Sequence, residues 1–133
     1  SVTANALKPI VHVGAVIGEE IPVWDIRDHF GDTDMLVRTM DQARDMTAAM
    51  GPNRCLLMRG HGAVIAARTL KEAVMVAVYL QVNALVQTEA MKMGEPLYLS
   101  TKEVGLMIET QFSPLAMDRA WEYFCNRAQV DFA

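Results

Sequence analysis

The chain has 133 residues, enough for one modest domain with a core of its own. Apolar residues make up 52% of it and charged residues 21%, a balance that excludes an intrinsically disordered chain. The net charge is −4 and no run of Lys or Arg occurs. Both features argue against nucleic acid or an anionic membrane surface as the main partner.

Cysteine usage and the start of the chain bear on its compartment. Cys55 and Cys125 lie far apart within apolar patterns, so they predict buried thiols rather than a disulfide or a redox pair. No signal peptide opens the chain and no run of about 18 apolar residues predicts a membrane span, so we expect a cytoplasmic protein. The opening Ser1-Val2-Thr3 lacks an initiator Met. We therefore expect a processed start or a piece of a longer polypeptide, with residues 1–133 forming one incomplete domain.

Two apolar runs and a polar stretch make up the first part of the chain. Residues 9–17 form an apolar run that is typical of a buried strand, and residues 22–26 predict a second, shorter one. The polar residues 27–34 that follow predict a loop.

A helix and two further strands come next. Asp32 or Thr33 is placed to cap a helix that runs to about Met50, with apolar residues at helical spacing. Two apolar runs, 54–59 and 63–67, follow on either side of a glycine-flanked break. They predict two strands joined as a hairpin or as one sharply bent segment.

The rest of the chain predicts three helices. Thr69 caps a long helix over 70–92, with Glu72 completing a capping box, and its mostly apolar surface predicts burial or packing against another subunit. A second capping box opens a helix over 100–110, and Ser113 followed by proline opens the last one. Four strands and four helices indicate the α/β class.

One histidine lies in the glycine-flanked break. Gly60 and Gly62 on either side of His61 leave the backbone free to turn and keep neighbouring side chains away from the imidazole. That placement suits a ring that binds a metal or a substrate. It suits equally a turn histidine bonded to a nearby carbonyl, because a zinc site needs three or four ligands and one histidine is not a site.

Other candidate residues also have two interpretations each. His12 is either a satisfied core histidine or a ring in a pocket that donates a hydrogen bond or carries a proton. Arg27 and His29 either face solvent or together hold an anionic substrate group, since Arg binds a carboxylate through two parallel hydrogen bonds. Arg59 shares the face of His61 or only extends to solvent, and Tyr123 serves packing or catalysis.

Several motifs in order along the chain carry a resemblance. Leu56-Leu-Met-Arg-Gly-His-Gly-Ala-Val-Ile65, followed by Thr69-Leu-Lys-Glu-Ala73 and a long helix, resembles the class II aldolase/adducin family. Pro9-Ile-Val-His-Val-Gly-Ala15, Ile21-Pro-Val-Trp-Asp25 and the stretch 84–96 extend the similarity over most of the chain. The Arg-Gly-His-Gly segment before a long helix is its most specific part.

The resemblance implies a fold and a metal site. The fold would be a three-layer α/β/α class II aldolase-like domain, with this chain as its C-terminal portion. His61 would be the third histidine on a divalent metal, zinc or manganese. The family's other two ligands form a His-x-His pair upstream of where this chain begins, and an acidic catalytic residue lies further upstream. We therefore expect the 133-residue piece alone to be inactive, because one histidine does not hold a catalytic metal.

The resemblance also implies a reaction class. Sugar-phosphate members carry a Tyr or Asp where this chain has Val13 and Gly14, while Pro22–His29 looks more like decarboxylases of hydroxylated aromatic dicarboxylates. We expect a lyase that decarboxylates or cleaves an aldol through a metal-stabilised enolate, acting on a small hydroxy acid or hydroxy-aromatic carboxylate. The alternatives are a sugar-phosphate aldolase or epimerase, a non-catalytic adducin-like binding module, and a purely structural α/β domain.

Roles and partners follow from that expectation. His12 and Tyr123 are the candidate catalytic residues, with His12 orienting substrate or carrying a proton. Arg27 and His29 would hold a substrate carboxylate, and His61 would bind the metal. Relatives are tetramers with active sites near subunit interfaces, so we expect a homotetramer acting on a small molecule. Neither nucleic acid nor membrane is an expected partner.

Overall fold

This computed structural model describes residues 2–129. They contain three short strands, five α-helices and one 3-10 helix, joined by loops and turns. The 3-10 helix is His12–Ile17. The strands are β1 (Val23–Trp24), β2 (Cys55–Met58) and β3 (Gly62–Ile65). The helices are α1 (Arg27–Phe30), α2 (Met40–Met50), α3 (Leu70–Met93), α4 (Thr101–Gln111) and α5 (Pro114–Ala128).

The sheet has the order β1-β2-β3. β1 runs parallel to β2, with Val23 beside Leu57, and β2 runs antiparallel to β3, with Leu57 beside Ala63. The two runs around the glycine-flanked break therefore form a hairpin, one of the two predicted arrangements.

Alternate residues of β2 face opposite sides of the sheet. Cys55 and Leu57 pack into a core with α3 and the 3-10 helix, where Val76 is fully buried. Leu56 and Met58 pack into a second core with α2 and Trp24 of β1. Helices thus cover both faces of a central sheet, which confirms the predicted α/β class and its three-layer arrangement.

The prediction of a strand at residues 9–17 is wrong. Residues 12–17 form the 3-10 helix, and the extended segment before it does not join the sheet. Its backbone is bonded instead to two buried side chains of α3. Asn83 Nδ2 donates to Lys8 O (2.7 Å) and Gln87 Nε2 donates to Ala6 O (2.8 Å). Side-chain amides therefore take the place of a neighbouring strand, which an apolar run alone cannot reveal.

The predicted start of α2 is also wrong. The helix begins at Met40 and is capped by Thr39, whose hydroxyl accepts from Gln42 N while the Gln42 side chain accepts from Thr39 N. Thr33 is not available for capping, because its hydroxyl accepts from the N–H two residues on and closes a local turn. A complete capping box decided between the possible starts.

The stretch predicted as a loop contains a helix, and the strand before it is shorter than predicted. β1 includes only two of the residues 22–26. α1 occupies the first four residues of 27–34 and ends at Gly31, whose φ of 67° lies in the left-handed region. Four residues give too little periodicity for a helix to be recognised from the sequence.

The later helices confirm their predicted starts. The hydroxyls of Thr69, Ser100 and Ser113 each accept a hydrogen bond from the backbone N–H three residues on. The capping box of α4 is complete. At α3 the Glu72 carboxylate accepts from Arg68 N rather than from Thr69 N, so the predicted reciprocal bond is made one residue earlier.

α3 is the central helix of the larger core, and its outer side is apolar. By length and composition alone it is the one helix of residues 2–129 that meets the criteria for crossing a membrane, although the sequence showed no such run. A core helix meets the same criteria, and α3 packs against the 3-10 helix and α5. Five large apolar side chains on it are exposed: Leu70, Val82, Leu85, Met91 and Met93.

Both cysteines are buried free thiols, as predicted. Cys55 has no exposed surface, and its Sγ donates to Ile17 O at 3.3 Å. Burial raises the pKa of the Cys55 thiol to about 12. The thiol therefore remains protonated and contributes to the core as a small apolar group.

Candidate functional site

His61 lies in the tight turn between β2 and β3. Gly60 has a φ of 62°, and His61 N donates to Met58 O at 3.1 Å to close the turn. A side chain at Gly60 would be strained by that φ, and its Cβ would lie 3.1 Å from Met35 Cε. The His61 side chain is exposed and makes no hydrogen bond within residues 2–129. A turn histidine bonded to a nearby carbonyl is therefore not what this turn contains.

A single imidazole fits the expected metal only in part. The exposed ring leaves a nitrogen free to coordinate, but a metal-ligating histidine usually donates its other ring N–H to a protein partner, and residues 2–129 supply none to His61. Among residues 2–129, however, no group of three or more His, Cys, Asp or Glu side chains could hold a metal ion. The described part of the chain thus offers one ligand of the three or four that zinc requires.

A cluster of charged residues links β1 to the turn that bears His61. Asp25 directly follows β1, and its Oδ2 lies 2.8 Å from Arg27 Nη2 and 2.6 Å from Arg59 Nε. Hydrogen bonds from Arg27, and then the close contact with the Arg59 guanidinium, lower the pKa of Asp25 to about 2. The backbone N–H of Arg59 also donates to Trp24 O at 2.9 Å. Sequence reasoning did not identify Asp25, although the Asp-x-Arg spacing was a signal for a local ion pair.

A second carboxylate organises the other predicted substrate-binding residue. His29 Nδ1 lies 2.7 Å from Asp45 Oδ1, and Trp24 Nε1 donates to Asp45 Oδ2 at 2.7 Å. The hydrogen bond that His29 donates to the Asp45 carboxylate raises the pKa of His29. The hydrogen bonds from Trp24 and His29 lower the pKa of Asp45. Trp24 thus fixes the carboxylate that holds His29.

The predicted anion clamp is divided between these two clusters. Arg27 is paired with Asp25 and His29 with Asp45, so the chain's own carboxylates occupy the positions expected for a substrate group. A substrate carboxylate would have to compete with both internal partners. The joint role of Arg27 and His29 stays a prediction.

His12 begins the 3-10 helix and is exposed, so the core-histidine interpretation is wrong. Gln111 of α4 is buried, and its Nε2 lies 2.6 Å from His12 O and 3.0 Å from His12 Nδ1. A backbone carbonyl only accepts, which sets the orientation of the amide, and an amide nitrogen only donates. His12 Nδ1 therefore accepts, and Nε2 carries the proton of the neutral ring. Sequence analysis missed Gln111, which lies 99 residues away.

Tyr123 lies on the exposed side of α5. Its side chain is 56% exposed, and its hydroxyl accepts from Arg127 Nη1 at 3.2 Å. The ring packs edge-on against Phe124, with the ring centres 5.7 Å apart. No hydrogen bond within residues 2–129 joins Tyr123 to His12 or His61, so its catalytic role stays a prediction.

Comparisons with known proteins agree with this architecture. Residues 1–88 match the family described as the Class II Aldolase and Adducin N-terminal domain. The protein Decarboxylase tropJ from Talaromyces stipitatus is 26% identical over 105 residues, covering 71% of this chain and 40% of the relative. A solved structure of L-fuculose 1-phosphate aldolase aligns with a TM-score of 0.64 and 24% identity, covering 80% of this chain and 46% of that protein.

These matches differ in what they establish. The likeness to the aldolase structure concerns the fold, and the chain spans less than half the length of both relatives. The family match, in contrast, covers most of this chain and includes the turn that bears His61. The chain therefore belongs to the class II aldolase and adducin family.

Proposed function

We propose that this chain is part of a divalent-metal-dependent carbon–carbon lyase in which His61 is one metal ligand. The supporting observation is the turn between β2 and β3, which presents an exposed imidazole without a protein hydrogen bond. Family members generally depend on a divalent metal, typically zinc, and the proposal leaves zinc and manganese open. The remaining ligands would come from the full-length protein, as would the upstream acidic residue.

The metal, when bound, would supply Lewis acidity at the substrate's carbonyl or phenol-like oxygen, worth several kcal/mol of barrier. A neutral imidazole such as His61 suits that task because it binds the cation without cancelling its charge. The chain's own residues would orient the substrate and move protons. These roles apply to aldol cleavage and to decarboxylation alike, because both leave an electron pair on carbon.

His12 is the proposed proton carrier. Its Nδ1 accepts from Gln111, so its Nε2 carries the proton that a neutral ring can donate. The ring is exposed, which gives a substrate access to it. Tyr123, Arg27 and His29 complete the proposal as a second catalytic group and as the residues that bind a substrate carboxylate.

Decarboxylation of a small hydroxy acid or a hydroxy-aromatic carboxylate is the favoured reaction. The similarity to a protein named as a decarboxylase supports this choice. The loss of Tyr or Asp at Val13 and Gly14 argues further against sugar-phosphate chemistry. A sugar-phosphate aldolase or epimerase is the alternative enzyme.

A non-catalytic adducin-like binding module is the second candidate. Residues 2–129 contain no group of three metal-binding side chains; such a module would need none, whereas the enzyme would take its missing ligands from outside these residues. The sequence upstream of Ser1 in the full-length protein distinguishes the two candidates. A His-x-His pair there supports the enzyme, and its absence supports the module.

Assembly and location extend the proposal. Family members often form oligomers, and the exposed apolar side of α3 offers a surface for subunit contact in a homotetramer. We further propose that residues 1–133 form the C-terminal portion of one domain, and that the full-length protein acts in the cytoplasm on a small molecule.

The decisive experiment is metal analysis of the full-length protein. We expect about one zinc or manganese ion per chain in the wild type, most of it lost in His61→Ala. His29→Ala is the matched control, since that ring is already bound to Asp45 and should leave the metal content unchanged. Unchanged metal in His61→Ala would overturn the proposal. CO2 release from hydroxy-aromatic acids, measured beside cleavage of sugar phosphates, then separates decarboxylase from aldolase.

A further inference from the structure

The turn between β2 and β3 has one anchored side chain, and it precedes His61 by two residues. We infer that Asp25 and Arg59 are positioning residues that hold this turn so that His61 points toward its metal. This inference rests on the proposed function, because it assigns a supporting role at the same site. Neither residue is proposed to contact the substrate.

Backbone hydrogen bonds attach β2 to β1 only as far as Arg59. Leu57 N donates to Pro22 O at 2.8 Å, and Arg59 N donates to Trp24 O at 2.9 Å. Beyond Arg59, the turn is held within its own hairpin, by the bond from His61 N to Met58 O and by the pairing of Gly62 with Met58. The orientation of the turn relative to β1 is therefore set at Arg59.

The Arg59 side chain reinforces that attachment. Its Nε lies 2.6 Å from Asp25 Oδ2 and has no exposed surface, although it forms no well-directed hydrogen bond. The contact is thus mainly between charges. The two side chains are 34% and 16% exposed, so water screens them less than it screens the other ion pairs of the described chain. Removing Asp25 would leave the partly buried Arg59 charge uncompensated, whereas Asp25 without Arg59 would still be paired with Arg27.

Asp25 is itself held from α1. Arg27 donates to it through Nε and through Nη2, the shorter contact being 2.8 Å. A continuous set of contacts therefore leads from α1 through Asp25 to Arg59 and the turn. Since His61 makes no side-chain hydrogen bond within residues 2–129, its place relative to β1 depends on this set of contacts together with the backbone bonds of the hairpin.

The physical reason for such an anchor lies in the glycines. Gly60 and Gly62 permit many backbone conformations, and an imidazole between them loses conformational entropy when it binds a metal. An anchor at Arg59 reduces that loss before binding. Groups hydrogen-bonded to a metal ligand typically contribute 10- to 100-fold to metal affinity, and an anchor that acts through the backbone should contribute at the lower end of that range.

The test uses the full-length protein with Arg59→Gln and, as the control, Arg38→Gln. Arg38 forms an ion pair of the same 2.6 Å length with Asp34, but both of those side chains are mostly exposed. We expect the metal Kd, measured by competition with a chelator, to rise about tenfold in Arg59→Gln. The Kd of Arg38→Gln should stay within about twofold of the wild type.

Hydrogen exchange of the metal-free protein provides a readout that does not depend on metal. The His61 amide should exchange several-fold faster in Arg59→Gln than in the wild type, and at the wild-type rate in Arg38→Gln. Unchanged exchange and unchanged metal affinity in Arg59→Gln would overturn the inference. A wild type that holds no metal would overturn the proposed function, and the exchange rates would still decide whether Arg59 anchors the turn.

Substitution of Asp25 keeps the test decisive if Arg59→Gln does not fold. Asp25→Asn removes the charge, and we expect the same rise in metal Kd as for Arg59→Gln. Asp25→Glu keeps the charge and should retain the affinity within about threefold, a rescue that a merely structural role would not require. Wild-type metal affinity in Asp25→Asn would contradict the inference.

Discussion

Two regions of this chain tie distant segments together by different chemistry. In one of them, the charged region near the end of β1, two carboxylates bind three cationic side chains. Asp25 pairs with Arg27 and Arg59, and Asp45 of α2 pairs with His29. Most of these side chains are partly exposed. In the other region, the amide region, the neutral side-chain amides of Asn83 and Gln87 on α3 bind the backbone of residues 6–10. Both amides are almost fully buried.

Desolvation explains this division. A charge removed from water costs several kcal/mol even when it is paired, whereas an amide costs little once its hydrogen bonds are made. The buried contacts are therefore hydrogen bonds between neutral groups, and the ion pairs lie where water and a substrate can reach them. The amide region should dominate stability, and the charged region should give the protein its dependence on pH.

The largest expected effect belongs to the amide region. Asn83→Ala removes the partners of Ile10 N and Lys8 O, so the free energy of unfolding of the full-length protein should fall by about 3 kcal/mol. Gln81→Ala, at an exposed position of the same helix, should change it by less than about 0.5 kcal/mol. Urea unfolding measures both, and equal effects would show that the amide contacts contribute no stability.

Gly14 offers a second way to perturb the amide region. A Cβ at this position would overlap the side-chain oxygen of Asn83, so Gly14→Ala should lower the free energy of unfolding by about 2 kcal/mol. Gly105→Ala is the control, because a Cβ there meets nothing within 4 Å and alanine favours a helix. A thermal shift that is the same for both variants would contradict the close packing of Gly14 on Asn83.

In the charged region, lowering the pH should change stability through Asp25 by more than raising it does through His29. The pKa of Asp25 lies at about 2 in the folded chain, below its ordinary value of 3.8. Its ion pairs therefore stabilise the fold above about pH 4 and are lost as the pH falls toward 2. Carbon-13 NMR of the carboxyl group follows this titration. In Arg27→Gln the pKa of Asp25 should rise toward its ordinary value, and an unchanged pKa would contradict the assigned cause.

The smallest effect concerns His29. Its pKa is raised above 6.5 by Asp45, so the ion pair contributes fully at lower pH and fades as the pH rises through the folded pKa. The difference in melting temperature between the wild type and His29→Gln should therefore shrink from pH 6 to pH 9. The corresponding difference for Asn83→Ala should not vary over this range, because amides do not titrate. A constant difference for His29→Gln would remove the distinction between the two regions.

Local signals account for the parts of the fold that the sequence predicted correctly. The caps at Thr69, Ser100 and Ser113 act within three residues, so their patterns are visible in a short window. The hairpin around His61 was predictable for the same reason, since its glycines adjoin it. The start of α2 was missed because several polar residues competed for the cap, and only Thr39 with Gln42 formed a complete box.

Single candidate residues of the site were predictable from the sequence, but which of them lie together was not. Sequence analysis identified His61, His12, Arg27 and His29 as unusual, and it proposed that the last two act together. The structure separates those two, because Asp25 and Asp45 each take one of them. Which carboxylate lies beside which cation depends on the packing of α1 and α2, and no local pattern encodes it.

By itself the sequence determined the α/β class, the helix caps at positions 69, 100 and 113, the unusual position of His61 between two glycines and the resemblance to a family. Periodicity, capping and short motifs are properties of neighbouring residues, and they survive without knowledge of the fold. Only the tertiary structure decided that residues 9–17 are not a strand and that Arg59 meets Asp25. The partners in those contacts lie 73 residues apart in one case and directly after two separate strands in the other, so only the folded chain brings them together.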